Sequence, residues 1–166
     1  MLPTHLKHTI LCILPALCLF LGSCEEDGDA FTLEEQAARD EAIIQDFLER
    51  EEITNYQRTS SGLYYIQEVE GEGAFPTTGD SVVVEYTGRL LNGKKFDSTR
   101  LSDESFGFVV DSSSVIRGWQ EGIKLMKPGG TTRFIIPSSI AYGATQQGSI
   151  PPNSILDFEI ELLYFE

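Results

Sequence analysis

From Thr59 onward apolar residues recur at every second position, and the rhythm gives way to a helical one only once, over a short stretch. Period two sends successive side chains to opposite faces of a strand, so this part of the chain is bound to form a sheet with a buried face. Leu63-Tyr64-Tyr65-Ile66, Val82 to Tyr86, Thr131 to Ile136 and Ile155 to Tyr164 read as strands. Gly71, Gly73, Pro76 and Thr78-Gly79-Asp80 punctuate the first pair, and Asn92-Gly93 predicts a hairpin between Arg89-Leu90 and Lys95-Phe96. The exception is Arg117 to Met126, where Trp119, Ile123 and Met126 share one helical face before Lys127-Pro128-Gly129-Gly130 stops it. One short helix against a mainly β pattern predicts an α+β fold.

Upstream, Thr32 and Glu35 have capping-box spacing, and Leu33, Ala37, Ile44, Phe47 and Leu48 recur on roughly one face. A helix is predicted from Thr32 to about Glu52. Its imperfect amphipathicity predicts only light packing against the main domain. Before it, residues 24–30 are polar, acidic and rich in small residues, as a tether would be.

The first residues have a different character. Ile10 to Leu21 is almost wholly apolar but too short for a hydrocarbon layer of roughly 30 Å, so residues 1–23 read as a signal peptide. Leu21-Gly22-Ser23-Cys24 has the form of a bacterial lipobox, with Cys24 as the lipid-bearing residue. The expected organisation is signal peptide 1–23, tether 24–31, helical segment 32–58 and one domain over 59–166.

Removal of residues 1–23 takes with it both histidines, His5 and His8, and two of the three cysteines, Cys12 and Cys18. No disulfide can then form, and a histidine base, a free thiolate nucleophile and a Cys/His zinc site are excluded together. No metal or cofactor is expected. With Lys7 also gone, 11 basic residues face 26 acidic ones, a net charge of −15. Phosphate backbones repel such a chain, so nucleic acid is excluded as a partner.

Three blocks remain to be explained. Tyr86-Thr87-Gly88 runs into Phe96-Asp97-Ser98; Val115-Ile116-Arg117-Gly118-Trp119 follows; Ala141-Tyr142-Gly143-Ala144 precedes Ile150-Pro151-Pro152. Taken singly these are ordinary: Trp119 and Phe158 would pass as core, Asp97 as a turn residue, Ile150-Pro151-Pro152 as a rigid loop. Their joint order and spacing resemble the FKBP-type peptidyl-prolyl isomerases over about residues 59–166. The resemblance implies a bent antiparallel sheet wrapped around one short helix, with a ligand pocket between them.

It also implies roles. Trp119 would form the pocket floor, with Tyr86, Phe96, Val115, Ile116, Ile150 and Phe158 as walls around a proline ring. Phe106 and Phe108 would stand beside the site. The Ile116 N–H and the Tyr142 hydroxyl would hold substrate carbonyls, and Asp97 would polarise the carbonyl carbon from the rim, oriented by Tyr86. Proline-containing polypeptides are the implied partners, and macrolide inhibitors are implied ligands. The chain departs from the family in two places: Ser102 stands where a basic residue is common, and Gln146-Gln147 replaces a more apolar loop tip.

Two functions follow as alternatives. One is a lipid-anchored isomerase aiding the folding of envelope or exported proteins; the other is a non-catalytic binding module of a membrane complex using the same pocket. Retention of Tyr86, Asp97, Trp119, Tyr142 and Phe158 together favours the enzyme. The acidic run after Cys24 favours the outer membrane, and the N-terminal helix, which has no sustained a/d seam, predicts a monomer.

Overall fold

The computed structural model describes residues 32–100, 104–112 and 114–166. Cys24, the signal peptide, the tether and Ser102 lie outside the described residues. Helix α1 (Leu33–Arg50) opens with the capping box foreseen: the Thr32 N–H donates to the Glu35 carboxylate at 2.9 Å, and the Glu35 N–H donates to the Thr32 hydroxyl at 3.2 Å. Strands β1 (Gln57–Arg58), β2 (Tyr64–Val69), β3 (Ser81–Leu90), β4 (Lys95–Ser98), β5 (Phe106–Val109), β6 (Thr131–Ile136) and β7 (Leu156–Phe165) form one sheet. Its order is β1-β2-β6-β7-β3-β4, with β5 also paired to β3, and the pairings are antiparallel. Helix α2 (Arg117–Gly122) continues into a 3₁₀ turn, Ile123–Leu125. The α+β arrangement is the one the hydrophobic period predicts; β1 and β5 are additions to it.

Alternation along β7 shows how the sheet is dressed. Leu156, Phe158, Ile160 and Leu162 point into a core shared with Trp119, Ile123 and Met126 from the α2 segment and with Phe134 and Ile136 from β6. Asp157, Glu159 and Glu161, the residues between, meet arginines instead. Asp157 is 4% exposed and takes both ends of the Arg133 guanidinium fork at 2.9 and 2.8 Å, while Arg100 reaches Glu159 at 3.2 Å. A buried carboxylate is tolerated there because a bidentate, charge-assisted pair replaces its hydration.

The second face also carries α1. Ile44, Phe47 and Leu48 are buried with Tyr64, Ile66, Ile135 and Ile155 in a cluster of their own. Each such side chain contributes about 1.5–3 kcal/mol on burial, so the expected light packing gives way to firm docking. The polar position that spoiled the apolar stripe is Asp40, itself 1% exposed. Around the same seam, the Tyr64 hydroxyl donates to Glu41 at 2.5 Å and Arg58 donates to Glu41 at 3.1 Å.

Close approach in two places has a covalent cause. A Cβ on Gly118 would lie 2.5 Å from the Ile136 side chain, and one on Gly88 would lie 2.7 Å from both the Phe96 and Phe158 rings. Without side chains at these two positions, α2 settles onto β6 and two aromatic rings close over β3.

Candidate active site

The concave side of this core opens into a cavity of about 410 Å³. Six stretches contribute to it. β3 brings Tyr86, β4 brings Phe96 and Asp97, β5 brings Phe106, the α2 entry brings Ser114, Val115, Ile116 and Trp119, the loop after β6 brings Tyr142 and Gln147 to Ile150, and β7 brings Phe158. Tyr86, Asp97, Ile116, Tyr142, Phe96, Phe106, Val115, Trp119, Ile150 and Phe158, which lie far apart in sequence, all line this one cavity.

Phe108 does not. It is 5% exposed and stands one layer behind, 5.7 Å from the Trp119 ring and 6.0 Å from Phe106, where it backs the wall as core. Period two along β5 places Phe106 and Phe108 on the same side, but only Phe106, 37% exposed, reaches the mouth. Sequence reasoning missed Ser114, Gly148 and Ser149. Their types carry no signal, and only the course of two loops brings them to the cavity.

Aromatic edges fix the floor. Trp119 meets Tyr86 at 4.9 Å and 83°, and Phe158 at 5.2 Å and 84°; Phe96 meets Phe158 at 5.5 Å and 84°. These are edge-to-face contacts, each contributing about 0.5–1.5 kcal/mol beyond area burial. Among the described residues the buried Trp119 indole N–H has no hydrogen-bond partner. An unpaired buried donor costs about 1–3 kcal/mol. Here the cost falls on the residue that closes the bottom of the cavity.

The cavity's carboxylate and phenols are Asp97, Tyr86 and Tyr142, joined in the lining by Ser114, Gln147 and Ser149. The Tyr86 hydroxyl donates to Asp97 Oδ2 at 2.6 Å, and the Ser98 N–H donates to Asp97 Oδ1 at 2.9 Å, so both carboxylate oxygens are held. Among the described residues Asp97 has no ion-pair partner, and Arg100 turns away to Glu159 and Glu161. The Tyr86 phenol is pushed well above its usual range by burial and then by its bond to Asp97. Tyr142 is raised by burial and by the charge of Asp97. Both phenols therefore remain protonated donors at neutral pH. Ile116 sits at the N-cap of α2, where its carbonyl accepts from the Trp119 N–H at 3.0 Å.

An apolar cup with one oriented carboxylate and two phenols at its rim suits the grip of a small apolar ring flanked by carbonyls. Comparison with known proteins agrees: the FKBP-type peptidyl-prolyl cis-trans isomerase family profile matches residues 72–163, and the chain belongs to that family. It is 48% identical over 99 residues to peptidyl-prolyl cis-trans isomerase FKBP1A of Xenopus laevis, covering 58% of this chain and 92% of that one. It is 41% identical over 132 residues to the FKBP-type isomerase FkpA of Escherichia coli K12, covering 79% of this chain but 48% of that protein, so it matches about half of that relative's length. The crystal structure of Escherichia coli FkpA superposes with a TM-score of 0.69 at 39% identity, over 80% of this chain and 62% of that one. A peptidyl-prolyl isomerase structure from Pseudomonas syringae gives 0.66 at 32% identity, over 84% and 99%. The family profile begins at residue 72, so α1 lies outside it.

Proposed function

We propose that this isomerase accelerates Xaa-Pro rotation in polypeptides of the cell envelope, by binding the twisted amide in its aromatic cavity without forming a covalent bond. The observation that carries this reading is the convergence of Tyr86, Phe96, Trp119 and Phe158 around a cavity whose one carboxylate among the described residues, Asp97, is held at the rim. Rotation about the amide loses resonance and meets a barrier of about 18–20 kcal/mol. The twisted carbonyl is less polarised than the planar one, so an apolar, water-poor cup favours it. The proline ring rests on Trp119. The Ile116 N–H and the Tyr142 hydroxyl hold the flanking carbonyls, and Asp97, steadied by Tyr86 and Ser98, faces the carbonyl carbon. Macrolide inhibitors would compete for the same cup.

Placement follows from the first 31 residues. Cys24 carries the lipids, the acidic tether holds the domain at a membrane, and the outer membrane is the favoured site. Several acyl chains anchor stably where one would not. Among the described residues no helix is long and apolar enough to cross a membrane. The folding domain works as a monomer.

The activity is tested by refolding a protein whose slow phase is set by proline isomerisation. The slow phase should shorten in proportion to the isomerase added; an unchanged phase with folded isomerase would leave the binding-module reading. Cys24→Ser should abolish membrane attachment or leave an uncleaved precursor. Normal processing with equal membrane attachment would refute the lipid anchor, and a dimer in light scattering of residues 30–166 would refute the monomer.

A further inference from the structure

Asp40 lies outside the family's matched segment and outside the cavity, yet it is one of the most deeply buried charges in the described residues, 1% exposed on the docked face of α1. Three donors converge on it. Gln36 Nε2 donates to Oδ1 at 2.6 Å, while the Ser138 N–H and the Ser138 hydroxyl donate to Oδ2 at 2.7 and 2.6 Å. Burying a carboxylate is costly unless hydrogen bonds replace its water, and here two of the three come from a single residue 98 positions away.

Ser138 is no incidental partner. It begins the 3₁₀ turn Ser138–Ile140, and its carbonyl accepts from the Ala141 N–H at 3.0 Å and from the Gly143 N–H at 2.9 Å. Those are the two residues that flank Tyr142. Gly143 in turn accepts from the Asn153 N–H at 2.7 Å, closing the loop that carries Gln147 and Ile150. The adjoining Ser139 carbonyl accepts from Arg117 at 2.6 Å, next to Ile116. A displacement of Ser138 is thus transmitted to both sides of Tyr142 and to the start of α2.

We propose that Asp40 is a positioning residue for isomerisation: from α1 it fixes Ser138, and Ser138 seats the backbone that aims the Tyr142 hydroxyl across the cavity mouth. This rests on the reading of Tyr142 as a substrate-carbonyl donor. Asp40 then acts on the cavity through Ser138 and a loop that α1 does not belong to. Small errors in the placement of a binding group lower rates strongly, so the effect should be readable in turnover.

The test uses the full chain and a Leu-Pro peptide, with isomerisation followed by NMR exchange. Asp40→Ala should lower kcat/KM about tenfold, the scale of one charge-assisted hydrogen bond, and Asp40→Asn, which keeps an acceptor, should lower it less. The Ala141 and Gly143 amides should exchange faster with solvent in both. The decisive readout is the background: in Tyr142→Phe, adding Asp40→Ala should cost little further activity. Phe47→Leu, which removes packing from the same face but leaves Asp40 and its three hydrogen bonds in place, should leave kcat/KM unchanged. The proposal is overturned if Asp40→Ala loses the same factor with and without the Tyr142 hydroxyl, or if Phe47→Leu of matched thermal stability loses as much. Should Asp40→Ala not fold, Asp40→Asn and Ser138→Ala carry the same comparison. An inactive wild type would sink the isomerase reading instead, and unchanged amide exchange at Ala141 and Gly143 would still refute the clamp.

Discussion

Removing the Tyr86 hydroxyl is the sharpest probe of the rim. In Tyr86→Phe the ring keeps its edge-to-face contact with Trp119 at 4.9 Å, while Asp97 loses the 2.6 Å donor and, among the described residues, retains the Ser98 N–H. A hydrogen bond to a charged group is worth about 1.5–3 kcal/mol. This one lies at a partly open rim, which puts it at the low end. If it serves to aim the carboxylate, kcat/KM should fall by about tenfold, since about 1.4 kcal/mol corresponds to one decade. Thermal stability should fall by no more than about 1.5 kcal/mol, the low end for this bond, because no packing is lost. Asp97→Ala should cost activity as well, and the double variant should cost little more than Asp97→Ala alone, the two residues acting as one unit. Exchange spectroscopy on a Leu-Pro peptide measures the rates, and thermal melts measure the stability. Full activity in the double variant would show that the pair is structural, and strictly additive losses would show that Tyr86 does not work through Asp97.

Phe158→Ala should cost about 3–5 kcal/mol of stability together with activity, because the ring is 4% exposed and touches Phe96, Trp119 and Tyr86; chemical denaturation checks it. Gly118→Ala should destabilise by about 1–3 kcal/mol, since the new methyl would fall 2.5 Å from Ile136; the denaturation midpoint reads this. Turnover should be nearly flat from about pH 6 to 8, where no histidine among the described residues titrates and both rim phenols are protonated. A raised folded-state phenol holds its proton more tightly than the unfolded chain does. The Tyr86 contribution is therefore full below about pH 10 and is lost as pH rises through the raised value. Alkaline unfolding should be milder in Tyr86→Phe.

Elements of the fold with a clean period were legible. β3, β6, β7 and α2 each bury one strip of residues at fixed spacing, and the Asn92-Gly93 hairpin and the Thr32 cap are local signals. β1 is two residues long and too short to show a period, and β5 alternates large residues with Gly107, which carries no hydrophobic signal. The docking of α1 was hidden for a different reason. Asp40 interrupts its apolar face, and the partner that makes the carboxylate tolerable there, Ser138, is set by tertiary structure alone. The site followed the same rule. No spacing in the chain brings Tyr86, Trp119, Tyr142 and Phe158 together. Their grouping was visible only through resemblance to a family, and Ser114, Gly148 and Ser149 were visible through neither route.

On the proposed function, an apolar cup lowers the barrier to amide rotation without bond-making chemistry. The direct measurement is the cis-to-trans exchange rate of two peptides differing only before proline, Leu-Pro and Glu-Pro, with and without the folded chain. Leu-Pro exchange should accelerate in proportion to protein added and Glu-Pro exchange should accelerate less, because the walls would desolvate the carboxylate. Folded protein that leaves the Leu-Pro rate at its uncatalysed value would contradict it.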